Sequence, residues 1–123
     1  MSRVLIVDDD PSLAWIAQAA LTRFGGHLVT TSSSADQALA LLDREPFDVV
    51  LLDAMMPHVD GPDLLRTLRE HPRLRDVPVV MLTALAADAD RERFRALGAR
   101  GLLTKPFDPR TLAANLAAIL ERG

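Results

Sequence analysis

Five short aliphatic segments recur along this 123-residue chain and alternate with helical patterns: Val4 to Val7, Leu28 to Thr31, Val49 to Leu52, Val79 to Leu82 and Leu102 to Thr104. Four of them are apolar on successive positions. A strand with one face in water alternates apolar and polar residues with period two, so unbroken aliphatic runs imply parallel strands covered on both faces. Helices must therefore lie on each side. Five βα units in succession predict an α/β fold, a doubly wound five-stranded parallel sheet with five helices.

The first helix is the most legible. Leu13, Ile16, Ala17, Ala20, Leu21 and Phe24 recur as one apolar stripe, and Gly25-Gly26 ends it. Asp10 is placed to accept hydrogen bonds from the free amides of the first turn, and Pro11 suits the first helical position, where a missing N–H is no loss. Further helices are expected at Ser34 to Arg44, Pro62 to Glu70, Ala87 to Leu97 and Pro109 to Glu121, with Gly61-Pro62 and Asp108-Pro109 as start signals and Gly98 as a stop. No repeat beyond the βα alternation, no low-complexity tract and no linker is visible, so residues 1–123 are expected to form one domain.

Composition removes several function classes. The absence of cysteine excludes disulfides, thiol catalysis and thiolate metal sites. A net charge of −3 argues against direct nucleic-acid binding, which needs a basic surface. No run approaches the roughly 20 apolar residues of a membrane span. Met1-Ser2-Arg3 leads straight into the first apolar run and leaves no room for a signal peptide, so a cytoplasmic location is expected. Of the 14 basic residues, 13 are arginine and the remaining one is Lys105. A compact ammonium differs in geometry from a planar guanidinium, which marks Lys105 as chosen for its shape.

The residues that follow the strands carry the chemistry. In a parallel sheet all strands finish on one edge, and ligands bind in the crevice there. The first strand runs into Asp8-Asp9, the third into Asp53, the fourth into Thr83, and the fifth ends at Thr104 beside Lys105. Two carboxylates about 4 Å apart repel by roughly 4 kcal/mol at an effective dielectric of about 20, so the cluster requires a positive partner. Oxygen ligands of this kind suit magnesium together with phosphate oxygens. Phosphoryl transfer needs positioning and charge neutralisation, which Lys105 as a point charge and the Thr83 hydroxyl as a donor can supply. A carboxylate can itself be the nucleophile, and Asp53 is the natural candidate.

Val7-Asp8-Asp9, Leu52-Asp53, Leu82-Thr83-Ala84 and Thr104-Lys105-Pro106-Phe107, in this order, resemble the receiver domain of two-component response regulators over essentially the whole chain. The resemblance implies a flavodoxin-like sheet of strand order 2-1-3-4-5, an order that rests on likeness to chemotaxis receivers as much as on pattern. It implies that Asp53 accepts a phosphoryl group from a histidine kinase or a histidine phosphotransfer protein. Asp9, Asp53 and the backbone carbonyl of Met55 would bind Mg2+ (or Mn2+) directly, and Asp8 largely through water. Lys105 would contact the phosphoryl oxygens, with the Lys105-Pro106 peptide cis. The segment Met56-Pro57-His58-Val59-Asp60-Gly61-Pro62 resembles the loop after the family's acceptor aspartate, with Gly61 and Asp60 in structural roles. A downstream protein target and a homodimer through the fourth helix, fifth strand and fifth helix are implied as partners, without nucleic acid or membrane.

One position departs from the family pattern. Phosphorylation in receivers draws the strand-four hydroxyl, here Thr83, inward, and an aromatic residue on strand five follows it. That position is Leu102, three residues before Lys105, and an aliphatic side chain cannot repeat a ring rotation. Output is therefore expected to depend on the loop after Thr83 and the helix behind it. Met55 and Leu85 flank the path of an attacking water, and neither orients one, so slow self-dephosphorylation is expected. Trp15 lies off the apolar stripe of the first helix, as an anchor for a phosphodonor or as a partly covered surface residue. His27, His58 and His71 read as surface histidines, and Asp88 to Arg93 as a solvated helix face. A flavin carrier of the same fold would need an anion cradle where Asp8-Asp9-Asp10 stand. A haloacid-dehalogenase-type phosphatase would need an Asp-x-Asp after the first strand and a cap domain. Glycine-rich nucleotide loops are missing. A stand-alone receiver and the N-terminal receiver of a longer regulator, with a DNA-binding or enzymatic output domain, remain as alternatives.

Overall fold

The structure is a computed structural model that describes residues 2–56, 59–84 and 88–122. Its elements are β1 (Arg3–Val7), α1 (Pro11–Gly25), β2 (Leu28–Ser32), α2 (Ala35–Arg44), β3 (Val49–Asp53), β4 (Met55–Met56), β5 (Val59–Asp60), α3 (Gly61–Glu70), β6 (Val79–Thr83), α4 (Asp88–Ala96), β7 (Gly101–Thr104) and α5 (Leu112–Arg122). Five strands form one parallel sheet in the order β2-β1-β3-β6-β7, which is 2-1-3-4-5 when only its own strands are counted. β4 and β5 form a separate two-stranded antiparallel ladder.

The unbroken apolar runs are explained by where alternate side chains go. Leu5, Val7, Val50, Leu52, Val79 and Met81 pack with Ala38, Leu41 and Leu42 of α2, Leu64, Leu65 and Leu68 of α3, and Phe94 of α4. Val4, Ile6, Val49, Leu51, Val80, Leu82 and Leu103 point the other way, against Ala14, Ala17, Ala20 and Leu21 of α1 and Leu112, Ala113 and Leu116 of α5. β1, β3 and β6 thus each feed two cores, and burying each large aliphatic side chain stabilises the fold by about 1.5–3 kcal/mol. No helix among the described residues is long and apolar enough to cross a membrane.

The helix ends follow local chemistry. Asp10 Oδ1 accepts from Ser12 N at 2.9 Å and Leu13 N at 3.3 Å, capping α1 with Pro11 in its first turn. Ser34 Oγ accepts from Gln37 N at 3.1 Å, and Gln37 Oε1 accepts from Ser33 N at 3.1 Å, so α2 opens on a variant of the capping box whose return bond goes to the residue before the cap.

Three expectations need correction. Ile16 and Phe24 are 36% and 52% exposed and do not belong to the buried face of α1. That face is centred on Ala14, Ala17, Ala20 and Leu21, with three small side chains against the sheet and the larger Ile16 and Phe24 on the flanks. α5 starts at Leu112 instead of Pro109, because Asp108 first closes a turn: its Oδ1 accepts from Arg110 N at 2.9 Å and its carbonyl from Thr111 N at 3.0 Å. The segment that resembles a loop in sequence contains the β4–β5 ladder, whose two-residue strands carry no periodicity.

Candidate functional site

The sheet's hydrogen-bond ladder continues past its strands and fixes the rim. Asp8 N donates to Ser32 O at 3.0 Å, Ala54 N to Leu82 O at 3.0 Å, and Lys105 N to Thr83 O at 2.8 Å. These bonds hold Asp8, Asp53, Thr83 and Lys105, which come from four different strand ends, on one edge. Asp8, Asp53 and Thr83 are buried, at 2%, 4% and 1% exposure, whereas Asp9 is open to solvent.

One carboxylate oxygen from each of Asp8, Asp9 and Asp53 lies within 4.8 Å of the others, and this is the potential metal-binding group among the described residues. Lys105 Nζ stands 3.2 Å from Asp8 Oδ2 and 3.2 Å from Asp53 Oδ2. Asp10 N donates to Asp8 Oδ1 at 2.9 Å, so the residue that caps α1 also orients the innermost acid. Burial pushes the Asp8 carboxyl above its ordinary value; the Asp10 amide lowers it, Asp53 raises it further, and Lys105 opposes. Burial pulls the Lys105 ammonium down, but Asp8 and Asp53 outweigh it and hold the ammonium above its ordinary value. Among the described residues, one monovalent cation, Lys105, stands against two of the three grouped acids. The donor set, oxygen-only with two buried members, fits a hard divalent cation of the magnesium type.

The other sequence candidates fall around this cluster. Trp15 is 68% exposed and shares with Asp8, Pro11, Gln18, Ser33 and Gln37 a groove of about 280 Å³, so it borders the acidic rim. Leu102 is half-buried, pairs in register with Met81 and packs against the core under α2, α3 and α4. With Arg91, Thr104, Pro106, Phe107 and Ile119 it also lines a cleft of about 350 Å³ on the outer edge of the sheet. Met55 follows Asp53 by two residues, in β4, where it pairs with Asp60. Leu85 and His58 lie outside the described residues. The Lys105-Pro106 peptide is cis. His27 Nδ1 accepts from Ser2 N at 3.3 Å and His71 Nδ1 from Arg73 N at 3.1 Å, both away from the acidic cluster.

Sequence reasoning missed two contributors. The Asp10 amide on Asp8 is a main-chain contact that no residue type announces. Gln37, which holds Ser33 at the lip of the groove, had a readable signal in Ser34-Ala35-Asp36-Gln37, the spacing of a capping box.

Known proteins share this sequence pattern and fold. The sequence matches the response regulator receiver domain family over residues 4–117. A probable transcriptional regulator of Guillardia theta, ycf27, is 42% identical over 98% of this chain and 46% of its own length. The transcriptional regulatory proteins GltR of Pseudomonas aeruginosa and CpxR of Escherichia coli are 40% and 41% identical, over 97% and 99% of this chain and 49% and 50% of theirs. The chain thus spans about half the length of the curated relatives it matches. Among solved structures, the chemotaxis response regulator CheY4 of Vibrio cholerae has a TM-score of 0.89 at 32% identity, covering 97% of this chain and 98% of that one. A putative response regulator of Chloroflexus aurantiacus has a TM-score of 0.87 at 32% identity, covering 98% of each. With a family match over nearly its whole length and relatives above 40% identity, the chain belongs to the response regulator receiver domain family.

Proposed function

We propose that residues 1–123 act as one phosphorylation-controlled receiver, in which Asp53 accepts a phosphoryl group from a histidine kinase or histidine phosphotransfer protein. A carboxylate oxygen of Asp53 attacks phosphorus, forming the O–P bond of an acyl phosphate as the P–N bond of the donor phosphohistidine breaks. Asp8, Asp9, Asp53 and the Met55 carbonyl hold Mg2+ or Mn2+, which when bound neutralises charge on the phosphoryl oxygens. Lys105 gives up its contacts to Asp8 and Asp53 to meet the incoming phosphoryl oxygens. The Thr83 hydroxyl donates to the same group. Trp15, on the lip of the groove, anchors the phosphodonor. With Leu102 in the aromatic position, the signal leaves through the segment after Thr83 and α4. Met55 and Leu85 are apolar and leave an attacking water unoriented, so self-dephosphorylation is slow. The domain serves as a phosphoacceptor that assists its own chemistry, in the cytoplasm, with protein partners and a homodimer through α4, β7 and α5.

The observation that carries this reading is Lys105 Nζ held 3.2 Å from both Asp8 and Asp53, with Asp9 completing the triad. Incubation with acetyl phosphate followed by intact-mass measurement tests it. Wild type gains one phosphoryl group only when Mg2+ is present, and Asp53→Asn gains none. Uptake that survives in Asp53→Asn or ignores Mg2+ overturns the assignment. The share of the relatives covered favours a second reading, in which the domain is the receiver of a longer regulator with a DNA-binding or enzymatic output domain. The length of the complete reading frame decides between them.

A further inference from the structure

Arg69 sits in the last turn of α3, far from the acidic rim along the helix axis, and directs its guanidinium at main-chain carbonyls. Nη1 donates to Arg75 O at 2.9 Å and to Val77 O at 2.8 Å, and Nη2 donates to Gly98 O at 2.8 Å. One side chain thereby ties together the end of α3, the segment leading into β6 and the residue just past α4. Gly98 makes this possible in two ways. Its φ of 102° is a conformation that favours glycine, and a Cβ there would stand 2.7 Å from Arg69 Nε.

The same end of α4 is secured twice more. Gly98 N donates to Arg95 O at 2.9 Å and Ala99 N to Phe94 O at 3.0 Å, the paired bonds of a Schellman cap. Phe94, one turn back, is 2% exposed and is the buried side chain of α4 among its described residues. Toward the N-terminal end, Ala89, Arg91, Glu92 and Arg93 are exposed and Asp90 is half-exposed. Among the described residues, these attachments gather at the C-terminal end of the helix, and the other end lies on the Thr83 side.

We propose that Arg69 is the hinge anchor of α4: through the Gly98 carbonyl it pins the C-terminal end of the helix, so that rearrangement of α4 pivots there and its N-terminal half moves. The pivot rests on the receiver reading above, whereas the pin itself is a property of the metal-free protein. Amide hydrogen exchange resolves both, on wild type, Arg69→Ala, Arg69→Lys and Gly98→Ala, with and without Mg2+ and beryllofluoride. In the metal-free state, Arg69→Ala is expected to speed exchange at Leu97, Gly98 and Ala99 by about tenfold, in line with the loss of one charge-assisted hydrogen bond. Arg69→Lys, which keeps a charge but lacks the fork, is expected to fall between. Gly98→Ala, which displaces Arg69 and also strains the cap at a φ that favours glycine, is expected to speed exchange there at least as much as Arg69→Ala. Protection across α1 should be the same in all four proteins, showing that the fold is intact. In wild type, beryllofluoride should alter exchange in residues 89–93 and leave residues 97–99 unchanged; in Arg69→Ala the change should spread along the whole helix. Exchange at residues 97–99 within about twofold of wild type in metal-free Arg69→Ala overturns the pin. A uniform change along α4 in wild type overturns the pivot. Failure of wild type to take up beryllofluoride counts against the phosphoacceptor reading and, with it, the pivot, while the metal-free comparison still decides the pin.

Discussion

α1 and α4 both border the rim where the acids gather, and they are held in opposite ways. α1 buries Ala14, Ala17, Ala20 and Leu21, and the Asp10 carboxylate caps its start. Gly26, at φ 64°, closes its end, with Gly26 N on Thr22 O at 3.2 Å and His27 N on Leu21 O at 3.3 Å. α4 has one buried side chain among its described residues, Phe94, and its cap and Arg69 contact lie at the same end. The helix that carries Asp10, and through it steadies Asp8, is fixed along its length. The helix that would report the state of the site is fixed, among its described residues, at one end. A receiver needs both: a rigid floor for the metal and acceptor, and an element whose position a small energy can change.

The largest effect should come from loosening that one end. Phe94→Ala is expected to lower stability by about 3–5 kcal/mol, with exchange rising first and most strongly in α4. Urea unfolding with exchange mapping checks this, and a loss below about 1 kcal/mol would show that α4 is held by more than its single apolar anchor. Asp10→Ala strikes the fixed side. It should lower stability by about 1 kcal/mol and weaken Mg2+ binding, whereas Asp10→Asn keeps a capping oxygen and should stay near wild type. Equal losses for the two variants would remove the cap from the account.

Asp8→Asn is expected to act with the opposite sign. The folded Asp8 carboxyl lies above its ordinary value, so the folded protein binds this proton more readily than the unfolded chain. The charged form is therefore a penalty that sets in as pH rises through the folded value and vanishes below the unfolded one. In metal-free buffer Asp8→Asn should be more stable than wild type near neutral pH, by about 1 kcal/mol or less, with the gap closing toward about pH 4. Thermal melts across that range test the sign, and a less stable Asp8→Asn at neutral pH would mean that its pairing with Lys105 outweighs burial. The smallest structural effect belongs to Trp15→Ala, expected within about 0.5 kcal/mol of wild type because the ring is exposed. Phosphotransfer from the cognate kinase to this variant should nonetheless slow, and an unchanged rate removes Trp15 from the docking surface.

The strands and the corners of the site could be read from the amino acids because each aliphatic run stops at a polar residue, and parallel strands bring all such stops to one edge. Asp8, Asp53, Thr83 and Lys105 are legible for that reason. Side-chain direction on α1 was not, since Ile16 and Phe24 fit an apolar period as well as the alanines do, and only packing against the sheet decides which face turns inward. Arg69 left no trace because its partners are carbonyls, which every residue possesses. The late start of α5 reflects competition between the Asp108 carboxylate and the helix for the same amides.

Strands that are greasy on both sides raise a problem of alignment that the rim also solves. In a sheet with one wet face, sliding a strand by one residue turns its oily side outward and is punished at every position. β1 carries Val4, Leu5, Ile6 and Val7 into two cores at once, and a slip would exchange one aliphatic residue for another. What a slip cannot hide is Asp8, which would be dragged inward from the edge among hydrocarbon. The acid that serves the pocket is thereby also the stop that tells the first strand where to halt.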